Sequence, residues 1–271
     1  MALASAFFHW RDCGFTVAPM DMTGNTILIT GGGSGIGRAL AEAFHQLGNQ
    51  VVIAGRRQDA LDAVTAAHPG MRGIPLDLES AHGIQTFAEH LLQEVPSLNV
   101  VIHNAGVMIN EDLKDGTTEA AETTVTTNLL GPMRLTAALI GHLLEQPHAA
   151  ILTVTSGIAY SPWALTPAYS ATKAGLHAYT QTLRYQLQDT AVQVIELIPP
   201  FTQTELQGPQ QATNPHALPL ADYIRETMQI LSEQPDAEEV VIERVKLQRY
   251  AERRGESDAL FKSRNDAAYG R

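Results

Sequence analysis

The stretch Asn25-Thr26-Ile27-Leu28-Ile29-Thr30-Gly31-Gly32-Gly33-Ser34-Gly35-Ile36-Gly37-Arg38-Ala39-Leu40-Ala41-Glu42-Ala43-Phe44 decides the fold. Its first six residues form a short apolar run with β-branched side chains, the pattern of a strand buried on both faces of a parallel sheet. Glycines follow at once, and behind them comes the start of an amphipathic helix. Strand, glycines and helix in that order suit a dinucleotide-binding turn. Backbone can approach a pyrophosphate only where side chains are missing, and the helix N-terminus then faces the anion. The spacing is T-G-x-x-x-G-I-G; G-x-G-x-x-G would need glycine at position 36 or 38. A flexible glycine loop without a ligand is the plain alternative, and the flanking strand and helix argue against it.

Working outward, Gln50 to Ala54 reads as the second strand, ending in Gly55-Arg56-Arg57. About 20 residues beyond the glycines, an acidic side chain marks NAD, whereas an arginine accepts the 2′-phosphate of NADP. Gly55 stands at the acidic position and two guanidiniums follow it. Arg56 can pair bidentately with phosphate and stack on adenine, while Arg57 reads as solvent-facing, so NADP(H) is favoured over NAD(H). An arginine pair on an unliganded loop is the other reading.

Met71 to Leu76, Leu98 to Ile102, Ala149 to Thr155 and Val192 to Ile198 continue the strand series. Helical patterns run over Thr117 to Leu144, Ala168 to Gln188 and Leu220 to Leu231. Ser156 stands at the C-terminal end of the fifth strand, the edge where open parallel sheets bind ligands. Tyr169 and Lys173, at i and i+4 on one helix, leave the same face. An ammonium beside a phenol lowers a pKa that starts near ~10 and lets the tyrosine trade a proton closer to neutrality. The same spacing also describes a solvated surface pair worth a few tenths of a kcal/mol.

Taken together, T-G-x-x-x-G-I-G, Ser156 and Tyr169-Ser170-Ala171-Thr172-Lys173 resemble the short-chain dehydrogenase/reductase family, over roughly residues 24 to 206. The resemblance implies an α/β chain. It is expected to be a single Rossmann-like domain whose doubly wound parallel sheet runs in the order 3-2-1-4-5-6 with helices on both faces. The implied activity is reversible hydride transfer between NADP(H) and a carbonyl or alcohol carbon. Tyr169 is then the general acid/base, Ser156 a second donor to the substrate oxygen, and Lys173 the charge that tunes Tyr169 and binds the nicotinamide ribose. Asn128, within Asn128-Leu129-Leu130-Gly131, would hold a kink and a water in the proton path; asparagine is otherwise poor inside a helix.

Cofactor contacts then fall to Gly31, Gly33, Ser34, Gly35, Ile36 and Gly37 in the first turn, with Arg56 and Arg57 after the second strand. Asp77 and Leu78 would sit at the adenine, and Asn104, Ala105 and Gly106 at the ribose. Tyr169, Lys173, Pro199, Thr202 and Thr204 would surround the nicotinamide. Two positions depart from the family pattern: His103 stands for the first Asn of N-N-A-G, and Pro200 replaces a glycine, removing an N–H and fixing φ. His103 reads as a core or turn histidine.

On the substrate side the expected contacts are Ser156, Tyr169, Trp163 and Phe201, with Met108 and Leu165 also at the rim, which suits a partly apolar molecule. A lid is expected over about 207–234, followed by a helical tail. A final apolar strand is not legible, which leaves six strands. The family implies a homodimer or homotetramer.

With 271 residues, 44% hydrophobic and 17% charged, the chain is long enough for one large α/β domain. A net charge of -11 without a basic block argues against nucleic acid or an anionic membrane face. The single cysteine, Cys13, rules out an internal disulfide and fits a reducing, cytoplasmic setting, and no metal-ligand spacing is seen among the ten histidines. No run approaches the ~20 apolar residues that span a bilayer. Residues 1–22 read as a loosely ordered extension that lacks the basic start of a secretory signal. Against the enzyme stands a non-catalytic NADP(H)-binding sensor, which would not need Ser156, Tyr169, Lys173 and Asn128 together.

Overall fold

The computed structural model describes residues 19–271. Most of the expected extension, and Cys13, lie outside them. Its last residues are packed: Met20 is buried in the core and its N–H donates to Gln193 Oε1 at 2.7 Å.

The elements follow in order as β1 (Thr26–Thr30), α1 (Gly35–Gln46), β2 (Gln50–Gly55), α2 (Gln58–Ala67), β3 (Arg72–Pro75), α3 (Ala81–Glu94) and β4 (Val100–His103). Then come α4 (Glu119–Val125), α5 (Gly131–Leu144), β5 (Ala149–Val154), α6 (Pro167–Leu187), β6 (Val192–Leu197), α7 (Pro209–Ala212) and α8 (Leu220–Glu233). β7 (Glu239–Val240), α9 (Lys246–Arg249) and α10 (Ser257–Tyr269) complete the chain. The described strands form one parallel sheet in the order β3-β2-β1-β4-β5-β6-β7.

Strand alternation distributes the core over both faces. Leu28 joins Phe87 and Leu91 of α3, Leu139 of α5 and Leu183 of α6 on one side. Ile27 and Ile29 join Leu40 and Phe44 of α1, Leu61 of α2 and Leu231 of α8 on the other. The continuous apolar run of β1 is therefore a strand covered twice, as its composition requires.

Three expectations change. A seventh strand exists: Glu239 and Val240 pair with Glu196 and Leu197 of β6. It was illegible because two residues carry no periodicity. In keeping with the kink expected at Asn128, a π-helical turn at Thr126–Leu130 interrupts the helical pattern over 117–144. The segment expected as a lid over about 207–234 has two parts, since α8 buries Tyr223, Thr227 and Leu231. Likewise the stretch 236–254, expected to be helical, contains β7 and short turns, and the long terminal helix is α10.

Candidate active site

At the C-terminal edge of the sheet lies a cleft of about 640 Å³. One end is the turn between β1 and α1. Gly31 and Gly35 adopt φ of +70° and +54°, values that L side chains rarely take. The turn is also too crowded for side chains. A Cβ on Gly37 would lie 2.3 Å from Asn104 Nδ2 and 2.4 Å from the Gly31 carbonyl oxygen. The crowding comes from a stitch between strands, in which Asn104 Nδ2 donates to the Thr30 carbonyl at 2.9 Å. The Thr30 hydroxyl accepts in turn from the N–H groups of Asn104 and Ala105 at 3.0 and 3.1 Å.

Residues of this turn fit a pyrophosphate. The α1 N-terminus has no side-chain cap and no acidic residue in its first turn, so its leading N–H groups and positive dipole end are left to the cleft. Arg56 and Arg57 both line the cleft. Arg56 is paired with Glu79 at 3.1 Å, while Arg57 Nη2 reaches Ser34 Oγ at 3.3 Å. Arg57 thus leans over the glycine turn while its side chain stays exposed, in line with its reading as solvent-facing.

The other end is built by β5 and α6. Tyr169 and Lys173 are both buried and line the cleft, one turn apart on α6. The Lys173 ammonium lies 5.5 Å from the Tyr169 ring centroid and donates to the Val154 carbonyl at 2.8 Å. Burial lowers Lys173 to about 8. Burial pushes the Tyr169 phenol above its ordinary value, and a hydrogen bond with Ser156 acts in the opposite direction. In this protein, then, Tyr169 is not lowered as the Tyr/Lys spacing alone implies. The ammonium approaches the ring and the backbone, and desolvation outweighs the hydrogen bond with Ser156.

Ser156 is buried, and its Oγ accepts from the Ile158 N–H at 3.2 Å, which leaves the hydroxyl proton to be donated. Asn128 does not line the cleft. Its amide grips Val107, accepting from the N–H and donating to the carbonyl, both at 2.8 Å. Gly106 is wedged beside it, with its Cβ position 3.2 Å from Asn128 Oδ1 and 3.9 Å from Lys173 Nζ.

Asp77, Leu78, Ala105, Gly106, Pro199 and Thr204 line the cleft together with Gly31, Gly33, Ser34, Gly35 and Ile36. Gly37 and Thr202 lie beneath it: Gly37 is buried inside α1, and the Thr202 hydroxyl donates to the Pro200 carbonyl at 3.0 Å. Thr204 comes within 3.5 Å of the Cβ position of Gly35, so the loop after β6 closes over the glycine turn. Of the apolar residues expected at the rim, Met108 lines the cleft, while Trp163, Leu165 and Phe201 do not. Sequence reasoning missed Thr123, Thr127 and Leu206, whose positions carry no motif. It also missed Gln211, which donates to the Thr202 carbonyl at 2.7 Å and to Thr204 Oγ1 at 3.0 Å. His103 is a core residue as read: it is buried, bonded to Thr136 at 2.9 Å and lowered by burial to about 4.

Behind Ser156 sits a buried carboxylate that no motif announced. Glu196 of β6 accepts from the Thr155 hydroxyl at 2.6 Å, from Tyr160 at 3.0 Å and from His177 at 2.7 Å. Glu239, the third member of this His/Glu cluster, is held by Arg249 through two bonds of 2.7 Å. Protein donors therefore occupy both carboxylates.

The family model described as short chain dehydrogenase matches residues 25–215. An uncharacterized oxidoreductase of Bacillus subtilis (strain 168), DltE, is 38% identical over 251 residues, covering 91% of this chain and 98% of its own length. A short chain dehydrogenase/reductase of Burkholderia phymatum, solved in complex with NAD, superposes with a TM-score of 0.77 at 22% identity, covering 88% of this chain and 96% of its own. A short-chain dehydrogenase of Sphingobium yanoikuyae in complex with NADPH gives 0.74 at 24%, covering 88% and 95%.

Proposed function

The chain belongs to the short chain dehydrogenase family, and from that premise we propose that it is an NADP(H)-dependent oxidoreductase that reduces a carbonyl or oxidises an alcohol on a small, partly apolar molecule. The observation that carries the reading is the pairing of buried Tyr169 and Lys173 in one cleft with an uncapped helix N-terminus at its far end.

When bound, the dinucleotide supplies or takes up the hydride. The protein handles the proton. A phenol pushed up by burial is fully protonated at neutral pH, so Tyr169 stands ready to donate to a carbonyl oxygen as negative charge develops there. Ser156 gives that oxygen a second hydrogen bond, since its own lone pair is already engaged by Ile158. Lys173, at about 8, is mostly charged at pH 7 and provides positive charge beneath the reacting groups. Asn128, separated from Lys173 only by Gly106, holds the turn on which a water could pass a proton toward solvent. Arg57 and Arg56 together favour a 2′-phosphate at the adenine end. We keep the lid in this proposal for residues 207–219, and the homodimer or homotetramer with it.

The test is NADPH consumption against a panel of ketones, aldehydes and quinones, with Tyr169→Phe in parallel. Turnover that drops by about 10³-fold in the variant, with NADPH binding retained, is the expected result. Equal turnover in both proteins overturns the role of Tyr169. NADPH binding without turnover in either protein favours the sensor reading.

A further inference from the structure

The loop between Ser156 and Tyr169 is held from outside by a helix that lies beyond the residues matched by the family model. Asn265 of α10 is buried to 9% exposure, and both ends of its side-chain amide are engaged. Oδ1 accepts from the Ala164 N–H at 2.7 Å, while Nδ2 donates to the Pro162 carbonyl at 3.2 Å and to the Phe261 carbonyl at 2.8 Å. Its neighbour Arg264 donates to the Ser161 carbonyl at 3.1 Å. An amide that engages the carbonyl of one residue and the N–H of the residue two further on treats the loop as a neighbouring strand would. The residue enclosed by those two bonds is Trp163.

Trp163 is gripped from the inner side as well. Its N–H donates to Ser170 Oγ at 3.0 Å, and Ser170 follows Tyr169 on α6. Three consecutive loop residues thus have their backbone fixed between the helix that carries Tyr169 and the terminal helix. A half-buried tryptophan has little freedom once its backbone is held on both sides, and the loop it belongs to is the one that joins Ser156 to Tyr169.

The geometry points to Asn265 as a positioning residue. By bridging Pro162 and Ala164 it sets the place of Trp163 and thereby makes α10 an element of substrate discrimination, while the dinucleotide end of the cleft is untouched. This rests on the reading of Ser156 and Tyr169 as the reacting pair, and it adds to that reading the part of the chain that decides which carbonyl is accepted.

The full chain carrying Trp10→Phe keeps Trp163 as its single tryptophan. Acrylamide quenching of that fluorescence reads the loop without any turnover. In Asn265→Ala the quenching constant is expected to rise about twofold, and in Asn265→Asp, which keeps the acceptor for Ala164 and loses the donor to Pro162, by less. Lys262→Ala, on the exposed side of the same helix, is expected to leave it unchanged. With acetophenone and hexanal as probes, KM is expected to rise about fivefold or more for at least one of them, kcat and NADPH affinity moving less than about twofold. Quenching in Asn265→Ala equal to that in Lys262→Ala overturns the proposal. So does a loss of NADPH affinity parallel to the rise in KM, which would mark a general loosening of the fold. If no variant turns over either probe, the fluorescence result alone decides the role of Asn265, and the reductase reading is what suffers.

Discussion

The turn after β1 and the loop after β5 both begin at the C-terminal edge of the sheet, one residue beyond a buried strand, yet they are held in opposite ways. The first is determined by atoms that are missing. Gly31 and Gly37 leave room for Asn104 to stitch Thr30, and any side chain there would strike backbone. The second is held by side chains that arrive from far along the chain: Glu196 through Thr155 and Tyr160, Gln248 against Gly157, and Asn265 through Pro162 and Ala164. A turn made by absence is written in a few adjacent residues and suits a ligand common to many proteins. A loop held by remote contacts can be re-shaped by changing the remote element, which suits the side that faces a particular substrate.

Four measurements would break or sharpen that contrast. The largest effect is expected from Glu196→Ala, which leaves buried Thr155 and half-buried Tyr160 and His177 without their acceptor. A loss of about 3 kcal/mol in urea unfolding is expected, with Glu196→Gln losing less. A change below about 0.5 kcal/mol would mean that the loop after β5 does not depend on its remote support.

Next comes Gly37→Ala. Overpacking against Asn104 and the Gly31 carbonyl is expected to lower stability by about 2 kcal/mol and to weaken NADPH binding more than it alters the loop carrying Trp163. Unchanged stability would show that the turn yields, and the contrast would fail from its other side.

The pH profile separates the cleft's chemistry from its architecture. Lys173 loses its proton as pH rises through about 8, so reductive kcat/KM is expected to fall roughly tenfold per unit above that point. Unfolding cannot be the cause through this group. The unfolded chain holds the lysine proton up to about 10.4, so between the two values the unfolded state binds more protons and stability rises with pH. A rate flat to pH 10 would remove Lys173 from the mechanism.

The smallest effect is expected at the arginines. Arg57→Ala and Arg56→Ala should each weaken NADPH by about fivefold to tenfold and NADH little, since a charge-assisted pair to the 2′-phosphate is the part removed. Equal weakening of both dinucleotides would end the NADP(H) assignment.

How far the sequence could be read follows the same contrast. The strands through β6, the glycine turn and the face shared by Tyr169 and Lys173 were legible because each is encoded by neighbours: short apolar β-branched runs for strands, glycines between strand and helix for the turn, spacing four on a helix. The strand order came from the family resemblance. The irregularity at Asn128 was legible in part too, because asparagine is poor inside a helix. By contrast, β7 was too short to show a period. The direction of the Tyr169 shift went the other way from its motif, because burial is a property of everything packed around a residue.

By itself, then, the sequence determined buried strands alternating with helices, a glycine turn built for close backbone approach, and a tyrosine and lysine on one helical face, all consequences of local sterics and short spacing. The doubly wound order of the sheet followed from the family resemblance those motifs carry. Only the tertiary structure decided that Arg57 leans over that turn, that a buried Glu196 backs Ser156, and that Asn265 grips the loop about a hundred residues before it. The physical reason is that these depend on which distant side chains the folded chain brings within hydrogen-bond reach, and no local pattern records such a meeting.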